Sequence, residues 1–175
     1  MAMNAGMFHD NRAPVGLYIE DGVEEMRIIT SDAPGNFGLL PNGVFCLGEG
    51  RAQVIESRAY AAHPPACRYA TQSGPMLVID GVLHPSFVAH SDNLNIRNGV
   101  GVDDTGTRVV MVISDDQVNF HHFARLFRDG LSLPNALFLD GRVSRLYAPD
   151  WGRRDLGFSI GPILGTVVDE TATGG

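Results

Sequence analysis

Two side chains far apart in the chain, Asp140 and Arg97, have the makings of a reactive pair. Asp140 stands at the end of a short apolar run, Ala136 to Leu139, and is followed by Gly141. A buried-looking strand that ends on a carboxylate and then a glycine is one way a fold presents charge to a cleft. An ordinary Asp-Gly turn is the other reading of the same residues. Arg97 interrupts the β-like run Ile96 to Val102, and a guanidinium there needs an anionic partner. Two partners stay open. One is Asp140, in a structural salt bridge. The other is a substrate phosphate, gripped by the guanidinium fork beside a carboxylate that moves protons.

Other polar residues sit beside apolar runs in the same way: Asn4, Thr71, Gln72, Ser73, Asn98 and Ser144. Burying an uncompensated amide costs roughly 1–3 kcal/mol, so such groups are normally paired or functional. Ser73 lacks the glycine pattern of a nucleophile elbow and reads as a hydrogen-bond donor to a sugar or phosphate. Gly99 and Gly101 lack the third glycine of a dinucleotide fingerprint, and Asp103-Asp104 stands where pyrophosphate would have to dock. His63, His84, His90, His121 and His122 show no metal-ligand spacing, so no zinc site is expected. Cys46 and Cys67 are too few for a disulfide framework and read as buried free thiols, one bridge between them being the alternative.

The elements that must position these groups are mostly short strands. Val15 to Ile19 alternates and meets a turn at Asp21-Gly22, with Met26 to Ile29 as the returning strand. Val44 to Leu47 and Gln53 to Ile55 read as strands, and a short helical piece near Ser57 to Ala62 stops at His63-Pro-Pro65. Gly74-Pro75 breaks two β-like runs between Tyr69 and Asp80, and Asp104-Thr-Gly106 closes a hairpin into Arg108 to Ile113. One clear helix is expected, Phe120 to Arg128, with Phe120, Phe123, Ala124 and Phe127 on one face. Asn119 is its N-cap and Gly130 its stop. Gly157 to Ile163 reads as a last strand, and residues 171–175 as a frayed tail. The fold class is α+β, with a mixed, largely antiparallel sheet.

Composition narrows the partners. The net charge of −7 and the absence of a basic run argue against nucleic acid. All 13 basic residues are arginine, so an anion site must use guanidinium or backbone N–H groups. No apolar stretch is long enough for a membrane span, and no signal peptide is visible. The 175 residues suit one domain. Oligomeric state is not legible.

Several blocks, in order, resemble the phosphodiester glycosidase family: Met3-Asn-Ala-Gly-Met-Phe8, Pro14-Val-Gly-Leu17, Gly35-Asn-Phe37, Pro41-Asn-Gly-Val-Phe45, Ala70-Thr-Gln-Ser-Gly-Pro-Met-Leu-Val78, Arg97-Asn-Gly-Val-Gly101 and Asn135-Ala-Leu-Phe-Leu-Asp-Gly141. The likeness runs from Met3 to about Pro162. It includes exported bacterial proteins and a lysosomal enzyme that removes N-acetylglucosamine from a sugar-1-phosphodiester. It implies an exported, periplasmic hydrolase that lacks some upstream strands of its relatives; the residues themselves point to no cofactor and no metal site. The substrate implied is a small-molecule or glycan phosphodiester. Asp140, Arg97 and Asn4 are the expected catalytic residues, with Thr71, Gln72, Ser73, Asn98 and Ser144 binding substrate. Arg142-Val143 depart from the glycines and serines usual after Leu-Asp-Gly. A non-catalytic carbohydrate- or cell-wall-binding domain, or a degenerate family member, is the competing expectation; the single tryptophan and four tyrosines tilt against a sugar binder.

Overall fold

The computed structural model describes residues 1–32, 34–140 and 143–167. Its class is α+β, as the pattern of short strands implies, but the strands form three sheets, and every strand pairing described is antiparallel.

The central five-stranded sheet runs in spatial order Val109–Ile113, Asn98–Val102, Asn135–Phe138, Met76–Ile79, Val82–Leu83. A second is ordered Val23–Met26, Tyr18–Glu20, Tyr69–Ser73, Gly43–Leu47, Ala52–Glu56. A smaller sheet of four strands joins the two ends of the chain: Arg153–Arg154, Leu146–Ala148, Ala2–Asn4, Ile163–Gly165.

The Asn135–Phe138 strand is buried on both faces, as its unbroken apolar run demands. Leu137 and Leu139 enter one core with Met3, Phe45, Met76 and Val100, where residues of all three sheets meet. Ala136 and Phe138 enter another, with Phe123, Phe127 and Leu133. Gly99 and Gly101 lie on that second face. A Cβ at Gly101 would come within 2.7 Å of the Phe127 ring and 2.8 Å of Leu133, so these glycines let the helix close down on the sheet.

The helix itself is α-helical over Phe120–Arg125 and widens into a π-helical turn over Leu126–Gly130. Asn119 caps it, its Oδ1 accepting from the His122 amide at 2.9 Å. The helical piece at Ser57–Ala62 also forms, capped by Glu56.

Three details differ from the sequence reading. The strand that returns from Tyr18–Glu20 is Val23–Met26, not Met26 to Ile29. Asp21 and Gly22 both adopt positive φ, 48° and 81°, and this two-residue turn forces pairing to start at Glu20 with Val23. The last strand is Ile163–Gly165, and residues 157–162 lie outside it: Gly161 sits where a Cβ would meet Phe8 at 2.5 Å, and Pro162 has no N–H to give a ladder. Cys46 and Cys67, read as free thiols, form a disulfide. Pairing of Leu47 with Tyr69 brings the two strand ends together and leaves the Cα atoms 5.5 Å apart. The expected tail at 171–175 and the Gly141-Arg142 positions lie outside the described residues.

Candidate active site

Asn98 is the hub. It begins the Asn98–Val102 strand and is fully buried. Its Nδ2 donates to the Asn4 carbonyl at 2.7 Å, and its Oδ1 accepts from the Asp140 amide at 3.0 Å. The Ser144 hydroxyl lies 3.2 Å from the same Oδ1 and 2.7 Å from the Asp140 carbonyl. One amide side chain thus ties the end of the Ala2–Asn4 strand to both sides of the Asp140 loop.

Other expected residues join this cluster. The Ser73 hydroxyl donates to the Leu139 carbonyl, next to Asp140. Asn4 is fully buried, and its Oδ1 accepts from the Arg145 amide at 2.9 Å. Thr71, two residues before Ser73 and on the same face of its strand, accepts from the Gly6 amide at 3.2 Å. Asn4, Thr71, Ser73, Asn98, Asp140 and Ser144 therefore gather where the strand ends of all three sheets converge.

Gln72 is not brought into this group. It points to the opposite face of its strand, where its oxygen accepts from the Leu17 and Ile29 amides, both at 3.0 Å, and its nitrogen donates to the Ile29 carbonyl and to Ser57 Oγ. All four of its hydrogen-bonding positions are taken, so it fastens the 17–29 segment to the sheet.

Arg97 is only 1 % exposed. The pairing of Phe138 with Gly99 continues through a Leu139 amide bond to the Asn98 carbonyl, and carrying that register one step further sets Arg97 opposite Asp140. The ion pair between them is nevertheless not formed. The guanidinium turns along the sheet: Nε donates to the Val118 carbonyl at 2.8 Å and Nη2 to the Asn93 carbonyl at 3.0 Å. It stacks 3.6 Å above the Phe120 ring, with Phe138 at 5.6 Å. Burial pushes its pKa down to about 10, still far enough above neutrality that the group stays a cation.

Asn93, Ser114 and Phe120, which hold this arginine, were missed in the sequence. Ser114 accepts from the Arg97 amide at 2.9 Å. Phe120 was read only as one of the core residues of the helix.

Two buried donors in this region have no hydrogen-bond partner: Asn4 Nδ2 and Arg97 Nη1. Asp140 is 8 % exposed. The region therefore holds a carboxylate, a desolvated cation and an amide donor near the converging strand ends. That set suits an anionic ester more than a neutral sugar alone. Among the described residues, no group of three His, Cys, Asp or Glu side chains is placed to hold a metal ion. No described helix is long and apolar enough to cross a membrane.

A family profile described as phosphodiester glycosidase matches residues 1–158. The uncharacterised protein YigE of Escherichia coli (strain K12) is 35% identical over 147 residues, covering 84% of this chain and 57% of that protein. The catalytic domain of zebrafish N-acetylglucosamine-1-phosphodiester alpha-N-acetylglucosaminidase, solved in a form auto-inhibited by its pro-peptide, superposes with a TM-score of 0.53 at 16% identity, over 80% of this chain and 50% of that one. The chain thus spans about half the length of these relatives. With its family blocks in order and its strands in the matching fold, the chain belongs to the phosphodiester glycosidase family.

Proposed function

We propose that the protein is a glycosidase-type hydrolase that cleaves a glycosyl-1-phosphodiester at the anomeric carbon–oxygen bond. The products are a free sugar and a phosphomonoester. Family and fold support a glycosidase-type hydrolase. The observation that carries the finer reading is the pair of orphaned buried donors, Arg97 Nη1 and Asn4 Nδ2. An unmet buried donor costs about 1–3 kcal/mol, and a substrate phosphate relieves that cost in the bound state.

As the bond from the anomeric carbon to the phosphate oxygen breaks, positive charge develops on the sugar and negative charge on the departing phosphate. Arg97 stabilises the phosphate, in a desolvated setting where its charge counts for more than in water. A phosphate needs little protonation to leave, so one working carboxylate suffices where ordinary glycosidases use two. Asp140 supplies it, taking the proton of an attacking water or attacking the anomeric carbon itself. Ser73, Asn98 and Ser144 hold the backbone around Asp140 and orient sugar hydroxyls. Gln72 supports this wall from behind.

We also place the protein in an exported, oxidising compartment, and the Cys46–Cys67 disulfide supports that placement. A second reading, a glycan-binding face without turnover, draws on the exposed Trp151 and Tyr147 rings.

The test is hydrolysis of the methyl phosphodiester of α-N-acetylglucosamine 1-phosphate in ¹⁸O-water. The label is expected in the sugar hydroxyl, with methyl phosphate unlabelled. Label in the phosphate means that the P–O bond broke, and binding without any turnover favours the glycan-binding reading.

A further inference from the structure

Beside the candidate active site lies a cavity of about 280 Å³ that the mechanism above does not use. Its walls include Arg145, Tyr147, Leu156, Phe158, Ile160 and Ile163. It is joined to the candidate site by covalent and hydrogen-bonded chain. Arg145 follows Ser144 directly and donates its amide to Asn4 Oδ1. Pro162, at the other end of the wall, accepts from the Ala5 amide at 2.8 Å.

Two features of this cavity are unusual for a bare surface. Leu156 is 92 % exposed and Phe158 88 % exposed, so the described residues leave two large apolar side chains uncovered. Arg145, whose amide holds Asn4, reaches this ridge with its guanidinium. It donates to the Phe158 carbonyl and forms no salt bridge among the described residues, although its charge reaches the Asp155 carboxylate and helps to hold that group's pKa down. Gly157 makes room for it: at φ 151°, its backbone sits where a Cβ would come within 2.0 Å of Arg145 Nη2. The one acid on the cavity wall, Asp155, is already engaged by Arg153 Nε at 3.2 Å and by the Leu146 amide at 2.9 Å. The bonded path therefore runs from Asn4 through Arg145 to the apolar ridge.

We infer that this cavity receives the substituent on the far side of the phosphate from the sugar, and that this substituent is apolar: an alkyl or isoprenyl chain, not a second sugar. A second sugar would present hydroxyls to Leu156 and Phe158, which offer no hydrogen bonds. An apolar chain covers them while Arg145 lies alongside the phosphate. The assignment rests on the hydrolase reading for its orientation, since that reading puts the phosphate at Arg97 and Asn4.

The experiment measures, for the full chain, binding of methyl phosphate and octyl phosphate by calorimetry, together with turnover of the methyl and octyl phosphodiesters of α-N-acetylglucosamine 1-phosphate. The octyl compounds are expected to be favoured by about tenfold or more in both measurements. The Leu156→Ser, Phe158→Ser double variant is expected to lose most of that preference. Arg145→Gln is expected to weaken both phosphates, and Val82→Ser, an exposed site elsewhere, to keep the preference. An octadecyl ester presented in phosphatidylcholine vesicles, compared with the free octyl ester, tells a membrane lipid from a soluble ester as the source. Equal binding of methyl and octyl phosphate, or a preference that survives the double variant, overturns the assignment. Turnover with no preference for chain length overturns it and leaves the hydrolase reading standing. Octyl preference in binding with no turnover of any ester keeps the cavity assignment and removes the hydrolase reading.

Discussion

At the scale of single residues, the stranded polar side chains were the informative part of the sequence. Asn4, Thr71, Ser73, Asn98, Asp140 and Ser144 could be singled out because an amide, hydroxyl or carboxylate beside an apolar run must find a partner. The partner each one finds was not legible, because those bonds span up to 141 positions along the chain. Gln72 shows the limit of the reasoning. It obeys the same rule as Ser73, but alternation along the strand sends it to the other face, where its partners are Leu17, Ile29 and Ser57. Arg97 shows a different limit: of the two partners left open for it, the Asp140 carboxylate is replaced by backbone carbonyls and an aromatic ring. The hub makes a clear prediction. Asn98→Ala strands the Asp140 amide and disconnects Asn4, with no new partner in reach. The cost is expected to be on the order of 3 kcal/mol, read as a lower urea midpoint with an unchanged slope. A variant as stable as the parent would show that the cluster is held some other way.

At the scale of elements, the helix and most strands were readable from period and turn chemistry. The misplaced strand after Asp21-Gly22 came from counting apolar residues instead of trusting the two-residue turn. The helix matters to the site because Phe120 begins it and supports Arg97, while Phe87 stacks on the other side of the column, 5.1 Å from Phe120, and His84 4.7 Å from Phe87. His84 is buried, and desolvation holds its pKa below the usual 6.5, with the Leu40 carbonyl acting in the opposite direction. In the pH range just below 6.5 the unfolded chain therefore binds more protons here than the folded one. Stability is full above that point and falls as the pH drops through it. Urea unfolding between pH 7 and pH 5 is expected to show this fall, and His84→Gln to flatten it. An identical slope in both proteins would mean that His84 is not the group responsible.

At the scale of the whole molecule, many short strands with one clear helix made the fold class legible, whereas the division into three sheets was not. Which strands pair is decided by contacts such as Leu137 with Val100 and Met76, remote in sequence, and by both ends of the chain meeting in one small sheet. The disulfide belongs to this scale too. Two lone cysteines carried no spacing signal, and only the pairing of Leu47 with Tyr69 brings them together. Closing a loop across 21 positions restricts the unfolded chain, and its loss is expected to lower stability by about 3 kcal/mol. Unfolding with and without a reducing agent, alongside the Cys46→Ser, Cys67→Ser variant, checks this. No difference between oxidised and reduced protein would remove the disulfide from the account of stability, and with it the support for an oxidising compartment.

The central claim is that Asp140 and Arg97 serve one reaction. The measurement closest to it is turnover of a sugar-1-phosphodiester by Asp140→Asn and Arg97→Ala, each with its unfolding midpoint determined in parallel. Each variant is expected to remain folded and lose at least a hundredfold in kcat/KM, with Arg97→Ala also binding phosphate more weakly. Parental rates in both folded variants would contradict it.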